Sequence, residues 1–137
     1  MKVFTNVLLF LLAVVVLQNC SDQIVSTCDT EKETPQKVTF TYIQNEVFTP
    51  ICVSCHGDVL QQGGLDLSSG NAYGNLVNAA STSSSLKRVQ PGESQNSYLM
   101  KRLRGENGET VMPPSGKLSG ALIDSIAAWI DRGAPQD

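Results

Sequence analysis

His56 is the only histidine in this chain of 137 residues, and it stands directly after Cys52-Val53-Ser54-Cys55. Two thiols three positions apart lie on one side of a helical turn. They can add across the two vinyl groups of one porphyrin while the next residue sets an imidazole under the iron. CxxCH is the spacing read as covalent attachment of a c-type haem. The expected cofactor is therefore one haem c per chain, with Cys52 and Cys55 as thioether cysteines and His56 as proximal iron ligand.

Other chemistries use parts of the same pattern. A dithiol switch places CxxC at a helix start within a βαβ unit, and no strand-helix-strand pattern surrounds this pair. A zinc site needs four nitrogen or sulfur ligands, for which only Cys20 and Cys28 remain. A disulfide within the pair leaves the adjacent histidine without a role. Covalent haem uses all three residues.

Iron held by one imidazole has a sixth site, and without a second histidine the electron-transfer choice is a methionine thioether. Met100 lies beside Leu99 on a predicted helix, where a flexible apolar side chain is an ordinary gap filler. Met112 lies in a loop rich in Gly and Pro, where packing would not call for it. Pro113 holds Met112 away from helical φ/ψ, and Pro114 stiffens the segment. Met112 is thus the favoured distal ligand, with a packed methionine as the plain alternative. Arg88, Arg102 and Arg104 are candidate propionate neighbours by charge alone.

Helices are needed to position these groups. Phe40, Ile43, Val47 and Ile51 recur at steps of three and four, predicting a first helix over 41–48 that Pro50 ends or kinks. Gly57 is the exit from the haem motif, and residues 63–70 read as a loop packed over one haem face. A weak helix is expected over 71–79, and the Ser-rich 81–85 reads as exposed low-complexity chain. Ser94 or Ser97 can cap a helix carrying Leu99 and Leu103 and closing at Gly105. Met112 comes next, in a loop over 105–116. Ser119 then caps an amphipathic helix with Leu122, Ile123, Ile126, Ala127, Trp129 and Ile130 facing inward, stopped by Gly133. Trp129 reads as core in a crossing of the first and last helices. No strand signal exceeds five residues, so the fold class is all-α, a small bundle around the cofactor.

The N-terminus gives the address. Lys2 and the apolar run Val7 to Leu17 form a secretory signal over 1–20, too short for a membrane span. Leu17-Gln18-Asn19-Cys20 resembles a bacterial lipobox, which makes Cys20 a lipidation site, although Asn19 stands where Gly, Ala or Ser is usual. A cleaved soluble form and an uncleaved anchor are the alternatives. Residues 21–36 are a polar linker, and 37–137 form a single domain. Cys28 is left over, or pairs with Cys20 if that residue carries no lipid. The expected location is the cell envelope, periplasmic or on the outer surface, where haem c is attached and cysteines are tolerated.

Net charge is −3, which implies neither nucleic acid nor an anionic membrane as partner. Between residues 85 and 117, however, six Lys and Arg face three Glu. Scattered surface charge is the default reading, and a basic rim steering an acidic redox partner is the sharper one.

With these residues placed, the stretch from Phe40 to Pro135 resembles the class I cytochrome c fold, and more narrowly the planctomycete-type cytochrome c domains of exported proteins. CVSCHG, GGLDLSS, VQPGESQNSYLMKRL, VMPPSGKLS and IAAWIDRGAP carry the resemblance. It implies covalent haem c with His56 and Met112 as axial ligands. The implied role is an exported monohaem carrier of single electrons, not an enzyme, serving a redox partner or acting as the haem subunit of a larger assembly. A five-coordinate haem sensor or peroxidase-like protein is the alternative, and a zinc-bound scaffold using Cys52, Cys55 and His56 is a third reading.

Overall fold

The computed structural model describes residues 38–137. The signal, Cys20, Cys28 and the polar linker lie outside the described residues.

Four α-helices, one π-helix and two short 3-10 turns make up the domain, and among the described residues there is no strand, only three isolated bridges. The all-α expectation holds. None of the described helices is long and apolar enough to cross a membrane.

The first helix, α1, spans Phe40–Ile43, and Thr39 caps it by accepting the Tyr42 N–H on its hydroxyl. Pro50 does not end the helical path begun by α1. The chain continues as a π-helix over Gln44–Cys52 with Pro50 inside it, and the Val53 N–H donates to the Phe48 carbonyl at 3.0 Å. In an α-helix a proline ring collides with the carbonyl four residues back. The wider i→i+5 turn moves that carbonyl aside, so the helix runs on to Cys52 rather than stopping near residue 48.

Helix α2 is shorter than its periodicity predicts, spanning Ala72–Leu76. Val77 leaves helical geometry to bridge Val89, whose N–H donates to the Leu76 carbonyl at 3.0 Å. A tertiary pairing satisfies the helix end, so the turn to residue 79 never forms.

Helix α3 spans Tyr98–Arg104 and ends on Gly105 at φ +70°, a left-handed cap that favours glycine. Ser97 occupies its N-cap position without capping it. Its hydroxyl instead accepts the Gln90 N–H and donates to the Glu93 carbonyl.

Helix α4 spans Gly120–Asp131, with the Ser119 hydroxyl accepting the Leu122 N–H. Ile123, Ile126, Ala127, Trp129 and Ile130 are buried and Leu122 is partly so. Each large apolar side chain taken from water contributes about 1.5–3 kcal/mol.

The first and last helices meet as expected. The Phe40 ring lies 5.5 Å from that of Trp129 and 5.2 Å, edge-on, from that of Tyr73. The two ends of the domain are tied by the Phe40 N–H donating to the Asp137 carboxylate and by Arg132 donating to the Val38 carbonyl. Trp129 is fully buried and donates its Nε1–H to the Pro135 carbonyl at 2.9 Å.

Candidate functional site

The π-helix delivers Cys52 as its last residue, and the next turn carries the rest of the motif. The Cys55 and His56 N–H groups both donate back to the Cys52 carbonyl, at 3.1 and 2.9 Å. This winds the pentapeptide as a continuation of the helix and sets both thiols on the wall of one cavity. The chain then turns sharply at Gly57, where a Cβ would sit 2.5 Å from the Val53 carbonyl oxygen. Only glycine fits the exit from the motif.

His56 is oriented by its own loop. Its Nδ1 lies 2.8 Å from the Gln62 carbonyl oxygen. A carbonyl can only accept, so Nδ1 carries the proton and Nε2 keeps the lone pair. Fixing one ring nitrogen so that the other can bind metal is a familiar device of histidine ligands.

The loop after the motif supplies one wall. Leu65 and Leu67 alternate toward the cavity. Between them Asp66 turns the other way to accept from the Ser68 N–H at 2.9 Å, the Ser68 hydroxyl at 2.6 Å and the Asn71 amide at 2.8 Å. Those bonds, the Ser68 hydroxyl foremost, hold the Asp66 carboxyl below the usual carboxylate range. The loop is therefore held in place, and it forms part of the cavity wall.

Met112 sits on the same cavity, and Met100 is fully buried in the apolar core away from it. The last carbonyls of any helix lack intrahelical partners, and α3 gives its own to the loop beyond it. The Arg102 carbonyl accepts the Met112 N–H at 2.8 Å, and the Arg104 carbonyl accepts from Lys117 Nζ at 3.1 Å. The methionine loop is thus the cap of α3.

The cavity has a volume of about 420 Å³, within the roughly 300–1,000 Å³ of small-molecule sites. Its walls are mainly apolar, with Phe48, Ile51, Leu76, Leu99 and Leu103 among them. Burial pushes the Cys52 thiol up to about 11, with Cys55 adding a smaller push. A lowered value is what activates a thiol, and Cys52 is shifted the other way. Among the described residues, no group of three or more His, Cys, Asp or Glu converges as a metal site. Two thiols, an oriented imidazole, a thioether and apolar walls around one cavity fit haem c.

Sequence reasoning missed part of this wall. Ser81, Thr82 and Ser83 line the cavity, and the Thr82 hydroxyl donates to the Gly63 carbonyl at 2.9 Å. Arg88 lines it too, and its guanidinium donates to the carbonyls of Asn75, Gly63 and Gly64 at 2.9, 3.2 and 2.8 Å. Of the three arginines singled out by charge, Arg88 and Arg102 border the cavity and Arg104 does not. The basic stretch is largely paired within itself. Lys101 and Arg104 reach Glu106 at 3.0 and 3.7 Å, and Arg102 reaches Glu109 at 3.8 Å. Its Lys101 hydrogen bond holds the Glu106 carboxyl below the usual range.

An all-helical domain brings CxxCH and a loop methionine to one apolar cavity, the set of groups that a covalently held haem c would need. Residues 52–116 match the family model described as planctomycete cytochrome C, the domain type that the sequence resembles. The matched stretch contains Cys52, Cys55, His56 and Met112 but neither α1 nor α4. Comparison with curated proteins and with solved structures found no match to the chain.

Proposed function

We propose that the protein is an exported monohaem cytochrome c that carries single electrons through one haem c, and that it is not an enzyme. Haem c, when bound, supplies the ferric/ferrous couple. Cys52 and Cys55 would tether it, His56 Nε2 would be its proximal ligand, and Met112 its distal ligand. The apolar walls would keep water from the ring, and a thioether donor would raise the potential.

The observation that carries this reading is the convergence of His56 and Met112 on one cavity, from segments more than fifty residues apart in sequence. A sensor or peroxidase needs an open sixth site, and a methionine on the cavity wall supports a filled one.

The apolar run Val7 to Leu17 and the lipobox-like Cys20 support delivery to the cell envelope, with a lipid on Cys20 as the membrane attachment. A redox partner protein, or a larger assembly in which the chain is the haem subunit, would exchange the electrons.

The test is an optical spectrum of oxidised and reduced protein made in a host with cytochrome c maturation, together with its intact mass. The expected result is a mass raised by one haem, a sulfur-to-iron charge-transfer band, and ferrous protein that refuses carbon monoxide. A colourless protein, or rapid carbon monoxide uptake, would overturn the reading.

A further inference from the structure

We infer that Arg102 is the positioning residue for the distal ligand, holding the Met112 loop through both its main chain and its side chain. This deepens the proposed function and rests on Met112 as iron ligand.

Arg102 engages the loop twice. Its carbonyl accepts the Met112 N–H at 2.8 Å, and its Nε donates to the Thr110 carbonyl at 2.9 Å. The two bonds hold the backbone on either side of Val111, so residues 110–112 are held at both ends against α3. The guanidinium is held in turn. It lies 3.8 Å from the Glu109 carboxylate on the same loop, 3.4 Å from the Tyr98 hydroxyl, and over the Tyr98 ring at 5.8 Å. Tyr98 lines the cavity and donates its hydroxyl to Glu109 at 3.0 Å.

A planar guanidinium suits this task and an ammonium does not, because its donors are fixed in one plane while Lys offers a flexible point charge. The main-chain bond survives any substitution at this position. The Nε bond does not, and without it the loop is held at one end only. A thioether on a loosened loop leaves the iron more often, which raises the share of molecules with an open sixth site. Arg104 is the internal comparison, since its guanidinium reaches Gln95 and Glu106 rather than the segment 110–112.

The experiment compares R102A, R102K and R104A in haem-loaded full chain, with M112A alongside. The readouts are the sulfur-to-iron charge-transfer band and carbon monoxide uptake by the ferrous form. Losing a charge-assisted hydrogen bond predicts about a tenfold larger open fraction in R102A, seen as a weaker band and faster uptake, with R102K between it and wild type. R104A should match wild type. If R102A does not fold, R102K against R104A gives the same reading. R102 variants that keep the wild-type band and refusal of carbon monoxide, or an R104A that behaves as R102A does, would overturn the inference and leave the proposed function standing. An M112A protein that keeps the band would overturn both.

Discussion

The ring of His56 is fixed by Gln62, whose carbonyl oxygen lies 2.8 Å from Nδ1. That acceptor is backbone, so no exchange of the Gln62 side chain removes it directly. Its position depends on the adjoining loop. Arg88 holds the carbonyls of Gly63 and Gly64 and ties them to Asn75. The orientation of the His56 imidazole is therefore secured from a residue 32 positions away in sequence.

Arg88→Met should release that clamp. Three hydrogen bonds from a charged donor are lost while the hydrocarbon stem is kept, and the expected cost is about 2 kcal/mol. Urea unfolding followed by circular dichroism reads this as a lower midpoint with an unchanged slope. A midpoint equal to wild type would show that the loop holds itself.

The two methionines should separate stability from iron coordination. Met100 is fully buried, so Met100→Ala opens a cavity and costs about 2–5 kcal/mol with the potential kept. Met112 is half-buried on a loop, so Met112→Ala should lose less packing than the core variant does. It should lower the reduction potential and admit carbon monoxide. Potentiometry beside denaturant titration decides. A potential that shifts in the Met100 variant and not in the Met112 variant would exchange their roles.

Much of this site could be read from the chain because its signals are local. CxxCH, the glycine after it, the alternating Leu65 and Leu67, and the methionine before two prolines each occupy a few adjacent positions. The inward face of α4 is equally plain, since a period near 3.6 repeats over twelve residues. The features that stayed hidden depend on distant partners. Pro50 sits in a π-helix because the turn around it widens, and α2 stops at Leu76 because Val89 pairs there. Thr82 and Ser83 are exposed, as the Ser-rich composition suggests, but with Ser81 they also border the cavity because Thr82 bonds to Gly63. The partner of Gln44 is equally distant, since the residue is buried with its amide donating to the Leu67 carbonyl at 2.9 Å.

Trp129 should act through packing. Trp129→Ala removes a fully buried side chain at a cost of about 3–5 kcal/mol, against a total stability of roughly 5–15 kcal/mol. A gentler change is more informative. Trp129→Phe keeps the ring contact with Phe40 and strands the Pro135 carbonyl, for a cost of about 2 kcal/mol. The melting temperature should fall by roughly 10 °C with electron exchange unaltered in the folded protein. A variant that melts like wild type but exchanges electrons more slowly would make the indole a conduit.

Asp66 should make the domain acid-sensitive. Its carboxyl is held low by the Ser68 hydroxyl and N–H and by the Asn71 amide, bonds that the unfolded chain lacks. A group whose folded value is depressed contributes its full stabilisation above the unfolded value, about 3.9 for Asp. That contribution is lost as pH falls through the folded value. Asp66→Asn keeps the shape and an acceptor oxygen but cannot ionise. Wild type should therefore be the more stable protein above about pH 5. The two unfolding midpoints should converge as the carboxyl protonates in stronger acid. Since Asp66 braces the loop bearing Leu65 and Leu67, the same acid step should admit water to the cavity and raise hydrogen exchange at Leu67, whose N–H donates to the His56 carbonyl at 2.7 Å. Midpoints that stay a constant distance apart from neutral pH to strong acid would mean that the charge on Asp66 contributes nothing and that its hydrogen bonds hold the loop in either protonation state.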